Sequence, residues 1–393
     1  MYRGVNHTAR LLARTVPIAL AIQHTISDKD AKCASFSAAT YPANDPIEDR
    51  HVMQHSNGWA VGAVFDGHGG WQVSDFASRF LVDKVLTNIT NCTEKDEISL
   101  DEQITAAFNS MEHDILGQVR PAFNVGFGDV AKVGSCVLLA LKKADRLVIA
   151  NCGDCRAILG TALPESGGKQ SSTERYVSTR INRDHNARVA LEQLRLEQDH
   201  VGEEGLYRCK NSHACYVKGR LQLTRSLGDV YLKSAEFNGS KDKHRSGGRY
   251  IPDPYTPPYV SHQPDLHHIR LGTEDRFVIL ASDGLWDYLS DQEAVEIVAS
   301  CMPPRSSTAN SSDTTAPAAA QSGSWYSSLL GSPSASSNSN GNNVVSRPSS
   351  TEVSAGVARW ELLAAERLVQ RALEIAAAES GLTLQQLRAL PIG

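Results

Sequence analysis

The chain reads as an α+β layered domain, and three observations carry that reading. Segments rich in Val, Ile and Leu cluster as close neighbours, helical patterns sit in separate blocks, and no internal repeat is evident. The strands are "WAVGAVFDG" (59–67), "SCVLLALKK" (135–143), "RLVIANCGD" (146–154), "CRAILG" (155–160) and "RFVILASDG" (276–284). Hairpin-like spacing among the second, third and fourth predicts an antiparallel meander. Apolar residues at helical spacing predict helices over 71–87, 101–118, 186–198 and 291–300. Leu362, Val369, Leu373 and Ala376 continue that pattern late in the chain.

Composition bounds the function. Of 393 residues, 41% are hydrophobic and 21% charged, and the net charge is -5, which gives no basic surface for nucleic acid. No apolar run approaches the roughly 20 residues that span a bilayer. Eight cysteines are too sparse for a disulfide framework in a chain this long, which favours a reducing compartment.

Two segments stand apart from the body. Residues 1–25 carry Arg3, Arg10 and Arg14 with no acid before Asp28, and Leu11, Leu12, Val16 and Leu20 share a helical face. This is the character of a mitochondrial presequence. A plain tail ranks second and a secretory signal third. The body is then 26–393, interrupted at 303–354 by a Ser-, Asn- and Pro-rich run that buries too little apolar surface to offset its ordering entropy. We read that run as a flexible surface insertion. A short docking motif at Trp325, Tyr326, Leu329 and Leu330 is the weaker reading.

Acids recur where apolar strands stop. "PIEDRH" holds Glu48 and Asp49; "VFDGHGG" holds Asp66, Gly67 and His68; "ANCGDCR" holds Asp154; "ILASDGLWD" holds Asp283 and, one helical turn on, Asp287. Each strand-end Asp alone is more often a turn former. Repetition of the Asp-Gly grammar is the stronger signal: clustered carboxylates repel and need a cation, and oxygen-rich sets suit Mg²⁺ or Mn²⁺.

Other candidates read as structural. Cys152 and Cys155 have redox spacing without a matching second pair, and we take them as small buried residues at a hairpin. Cys209, His213 and Cys215 read as exposed loop residues rather than a chelate. Asp184-His185-Asn186 reads as a helix cap. Lys218 and Arg220 serve equally well as substrate contacts or as solvated charges.

In order and spacing, "IED", "VFDGHGG", "NCGDCRA", "LTRSLGD" and "ASDGLWD" resemble the motifs of the metal-dependent serine/threonine protein phosphatases of type 2C. "NDPIEDR", "DHNARVALEQLRLEQDH", "YTPPYVSHQPDLHHIRL" and "LASDGLWDYLSDQEAVEIV" are similar to segments of the mitochondrial pyruvate dehydrogenase phosphatase branch. The resemblance implies a four-layer α-β-β-α sandwich of two antiparallel sheets flanked by helices. It also implies a centre of two Mg²⁺ or Mn²⁺ ions. Asp66 bridges them, Glu48 and the Gly67 carbonyl bind one, Asp283 binds the other, and Asp49 orients waters. Asp154 and Asp287 match the positions of a third, weaker ion, and His68 that of a general acid. Asp229 would brace the metal edge. The substrate implied is a phosphorylated protein, on this branch a dehydrogenase complex of the mitochondrial matrix, with a cytoplasmic location as the alternative.

Two departures accompany the resemblance. Many type 2C enzymes carry a phosphate-gripping arginine ahead of the Glu-Asp pair, where this chain has Asn44. The family's last strand also opens with an acid that binds metal. "LTLQQLRALPIG" stops before such a strand, and no Asp follows Asp313. The expectation is a chain short of one ligand and one strand, with unpaired backbone on that strand's neighbour. Three functions follow as alternatives: an active protein phosphatase, a regulatory or weakened phosphatase-fold protein, and a phosphohydrolase for small substrates.

Overall fold

The computed structural model describes residues 18–23, 34–90, 97–163, 174–239, 250–302 and 358–390. By internal contacts the chain divides into Met1–Met302 with Arg359–Gly393, and Pro303–Ala358. The insertion expected at 303–354 lies outside the described residues.

In chain order the strands are β1 (Ile18–Gln23), β2 (Phe36–Thr40), β3 (Arg50–Ser56) and β4 (Trp59–His68). Helices α1 (Gln72–Ile89) and α2 (Glu97–Asn124) follow. Next come β5 (Gly134–Lys143), β6 (Arg146–Cys152), β7 (Arg156–Ala162), β8 (Tyr176–Arg180), α3 (Ala190–Asp199), β9 (Tyr207–Asn211), β10 (Ala214–Val217) and β11 (Leu227–Gly228). The rest are β12 (Asp265–Arg270), β13 (Asp275–Ala281), α4 (Asp283–Trp286), α5 (Asp291–Cys301), α6 (Ala358–Glu379) and α7 (Leu384–Arg388).

One sheet runs β2-β1-β13-β7-β8 and the other β12-β6-β5-β4-β3, with β11 beside the start of β5. The pairings within both sheets are antiparallel. The period of two along each strand then sorts the apolar residues into three layers. Val61, Ala63 and Phe65 of β4, with Val137, Leu139 and Leu141 of β5, face α1 and α2. Val64, Leu138 and Ala140 face the other way, against Ala157, Leu159, Val278 and Leu280 of the second sheet. The far face of that sheet, Ile158, Phe277 and Ile279, packs on α5 and on Ala364, Leu368 and Ala372 of α6. Among the described residues this is the expected α-β-β-α sandwich.

Three expectations are corrected. The meander fails after β6: β7 pairs with β13 and β8, so the chain crosses between sheets at Gly153-Asp154-Cys155 instead of turning back in a hairpin. Residue 25 is not a fold boundary, because residues 18–23 form a strand between β2 and β13. Finally, α3 starts at Ala190 rather than at 186, because Asn186 is held in a bridge to Leu223.

Candidate metal centre

Strand parity aims the acids. Asp66 shares the inter-sheet face of β4 with Ala60 and Val64, and it comes where that face runs out. Asp154 lies on the crossing between sheets. On the second sheet, β13 ends at Ala281; Asp283 opens the short helix α4, and Asp287 closes it one turn on. The extended segment before β3 brings Glu48 and Asp49. Arg50 clamps it there, donating to the carbonyls of Ile47 (2.5 Å) and Asp49 (2.9 Å) and to Asp75 Oδ1 of α1 (3.2 Å). The Ser74 hydroxyl, also on α1, donates to the Glu48 carbonyl. Gly67 has to be glycine, since a Cβ there would collide with that same carbonyl and with Ser74 Oγ.

One carboxylate oxygen from each of Asp66, Asp154 and Asp283 lies within 4.8 Å of the others. The remaining acids border this trio, and every member of the set is pushed to protonate. Burial comes first for Asp66, followed by the charges of Asp49 and Asp154. Burial also leads for Asp283, then Asp66, Asp154 and Asp287. Asp49 is raised by burial and then by Asp283, against a hydrogen bond from Ser282. Burial raises Asp154, partly offset by the amide of Asn186. It raises Glu48 against the charge of His68, and Asp287 against that of Arg188. Six carboxyls that disfavour ionisation together form a site that a divalent cation would stabilise. The donor set fits such an ion: these acids supply only oxygen, and Asp49 Oδ2 is buried without a partner among the described residues.

His68 ends β4 at the rim of the cluster. Its Nε2–H donates to Asp229 Oδ2 (2.7 Å), an acid that is 1% exposed. Ser226 Oγ donates to the same oxygen at 2.5 Å. Behind it, Lys233 donates to the Ser226 carbonyl (2.7 Å) and to Glu112 Oε1 (2.7 Å), and Glu112 Oε2 accepts the Gly228 N–H (2.9 Å). Asp229 sits in the left-handed region at φ 49°, a strained conformation for a residue other than glycine. Gly134 leaves room for the pair, since a Cβ would strike both Asp229 Oδ2 and His68 Nε2. Burial pulls the imidazole pKa down, but the Asp229 charge and hydrogen bond, with Asp154 and Glu48, outweigh it and raise the value.

The eight residues singled out in the sequence therefore converge. Their supports were misread or missed. Asp229, expected at the metal edge, bonds His68 directly. Asn186 is no cap: its Nδ2 donates to Asp154 Oδ2 (3.1 Å) while Oδ1 accepts the Arg188 N–H (3.2 Å). Arg188 pairs with Asp184 (2.9 Å), and its charge opposes the upward shifts of Asp154, Asp283 and Asp287. His185 is buried, accepts the Gly153 N–H at Nδ1 (3.2 Å) and bonds Asp265 through Nε2 (2.9 Å), which steadies the crossing. Lys218 is tied to Glu203 (2.7 Å) and the Pro254 carbonyl (3.0 Å), and Arg220 to the Tyr250 carbonyl (3.0 Å). Cys209 and Cys215 are joined as a disulfide across the β9–β10 hairpin, with Cys215 buried rather than exposed. The sequence shows Asn186 and His185 only as polar residues in one short tract; their burial, which marks them as supports, is visible in the structure alone.

A family profile described as protein phosphatase 2C matches residues 35–325. A protein described as probable protein phosphatase 2C 67 of Arabidopsis thaliana is 36% identical over 275 residues, 67% of this chain and 68% of that one. Probable protein phosphatase 2C 68 of the same plant is 34% identical over 264 residues. That match takes in 67% of this chain but 64% of the relative, less than two thirds of its length. Probable protein phosphatase 2C 43 of Oryza sativa subsp. japonica is 30% identical over 263 residues, 67% of this chain and 63% of that one. Among solved structures, a serine-threonine phosphatase 2C from Toxoplasma gondii is similar with a TM-score of 0.46 and 20% identity, over 65% of this chain and 78% of that one.

Proposed function

The chain belongs to the protein phosphatase 2C family, and from that membership we propose that it is a metal-dependent hydrolase of phosphoserine and phosphothreonine in proteins. The observation that carries this reading is the trio Asp66, Asp154 and Asp283, whose oxygens gather within 4.8 Å at the end of the inter-sheet core. In this reading Asp66, Glu48, the Gly67 carbonyl and Asp283 hold a pair of Mg²⁺ or Mn²⁺ ions. Asp49 orients their waters, and Asp154 and Asp287 hold a third, weaker ion. Bound there, the cations supply an activated water at neutral pH and offset the charge of the phosphoryl oxygens. His68 is the general acid. Asp229 holds its Nε2–H, which leaves the Nδ1–H of the imidazolium to protonate the departing serine or threonine oxygen. The acids also exclude a bare phosphate dianion unless cations are present, so binding and chemistry share one requirement.

The test compares phosphate release from a phosphoserine peptide and from a small aryl phosphate, with Mn²⁺ and with chelator. Metal-dependent release that favours the peptide supports the reading. Preference for the small ester points to a phosphohydrolase of small substrates, and no release with saturating metal points to a regulatory protein.

For place and substrate we propose the mitochondrial matrix and a phosphorylated dehydrogenase complex. The basic, acid-free stretch before Ile18 motivates the address. Because β1 begins at Ile18, a removable presequence has to be cut ahead of that residue. A fluorescent fusion of residues 1–40 that stays cytosolic would sink the address, and unaltered phosphorylation of the complex in a knock-out would sink the substrate.

A further inference from the structure

We infer that the inner end of the acid cluster is a second kind of metal site, one that takes a thiophilic divalent cation such as Zn²⁺ or Cd²⁺ on Cys136, Cys155 and Asp66. The three ligand atoms, two thiol sulfurs and a carboxylate oxygen, lie within 4.8 Å of one another. Asp154 Oδ1, 3.3 Å from Cys136 Sγ, supplies a fourth donor. An edge of a tetrahedron with 2.3 Å metal–sulfur bonds is about 3.8 Å, so closure asks for shifts of no more than about 1 Å.

Topology explains the grouping. Cys136 is on the inter-sheet face of β5, directly across from Asp66 in the register of β4 and β5. Cys155 follows Asp154 on the crossing and turns to the same inter-sheet face. Both thiols are buried, at 1% and 0% exposure. Cys152, three residues earlier, faces the helix side of its sheet and belongs to the other core. The spacing of Cys152 and Cys155 thus misleads: the ligand pair is 136 with 155, one on β5 and one on the crossing between the sheets.

Hard and soft sets share Asp66. Mg²⁺ and Mn²⁺ prefer the oxygens of Asp66, Asp154 and Asp283, while thiolates select zinc-like ions. Binding of a soft ion releases two thiol protons to solvent and draws Asp66 and Asp154 away from the oxygen set. The consequence for turnover, competition between soft and hard ions, rests on the phosphatase reading above; the binding itself does not.

The experiment titrates Cd²⁺ and Co²⁺ into the full chain carrying Cys209→Ser and Cys215→Ser, so that the hairpin sulfurs cannot contribute. Thiolate-to-metal charge-transfer absorption is the readout. The expected result is a saturable band that Cys136→Ser with Cys155→Ser abolishes and Cys152→Ser leaves intact. If the double variant does not fold by near-ultraviolet circular dichroism, Cys155→Ser alone has to weaken metal affinity by about tenfold or more. An absent band, or one that the Cys136 and Cys155 substitutions leave unchanged, overturns the inference. In the same proteins, Zn²⁺ should inhibit Mn²⁺-dependent phosphate release less in Cys155→Ser than in its parent. A band without any such turnover would sink only the phosphatase reading, and turnover without a band only this one.

Discussion

At the residue scale the account turns on one histidine and the acid that holds it. Asp229 fixes the orientation of His68 and raises its pKa without touching the acid trio. Asp229→Asn should therefore lower kcat by roughly 10²-fold, the lower end of what general acids contribute, while the Mn²⁺ concentration for half-maximal activity stays the same. A parallel loss of metal affinity would mean that Asp229 serves the metal edge after all. Single residues were legible in the sequence where chemistry and local grammar coincide. Asp66, His68 and Asp283 stand at the ends of apolar strands, and a strand end is visible in a window of ten residues. Asp229 was found without its partner, because its histidine is 161 residues away and no local pattern encodes that distance.

Among elements, the crossing at Gly153-Asp154-Cys155 does most to shape the site. His185 accepts the Gly153 N–H at Nδ1 and donates from Nε2–H to Asp265, which Arg225 also grips at 2.5 Å. Burial would raise the Asp265 pKa, but the His185 and Arg225 bonds and charges hold it below the usual carboxylate range. A depressed carboxyl stabilises the fold above its unfolded pKa of about 3.9 and loses that contribution as pH falls toward the folded value. Asp265→Asn should thus cost about 2 kcal/mol at pH 7 and progressively less below about pH 4, read as urea midpoints across pH. A constant difference would remove the charge from the explanation. The long apolar strands β4, β5, β6 and β13 were legible from composition and period. The strands β3, β8 and β9 were not, since they are mostly half-buried or exposed and carry Arg, His, Lys and Ser among their apolar residues. The crossing was misread as a hairpin because Gly-Asp is good turn grammar either way; only long-range register distinguishes a return within one sheet from a step to the other.

For the whole molecule, three apolar layers hold two sheets between helices, and the acids collect where the middle layer ends. The strand β1 is part of that frame, bonded to β2 and β13. Removal of residues 1–24 should lower the melting temperature and solubility by exposing the edges of both neighbours, whereas removal of residues 1–15 should leave them unchanged. Equal behaviour of the two truncations would show that β1 contributes nothing to the sheet. The four-layer plan itself followed from the family likeness, not from periodicity, which indicates faces without saying what covers them. The central claim is that the converging carboxylates bind the metal that makes this fold an enzyme. It is tested most directly by Mn²⁺-dependent phosphate release from a phosphoserine protein, the intact chain against Asp66→Asn, with a melting curve to show that the variant is folded. The account predicts that turnover falls by about 10³-fold or more, as expected when preorganised charge stabilisation is removed, and that Mn²⁺ no longer raises the melting temperature. Undiminished turnover of folded Asp66→Asn at saturating Mn²⁺ would contradict it.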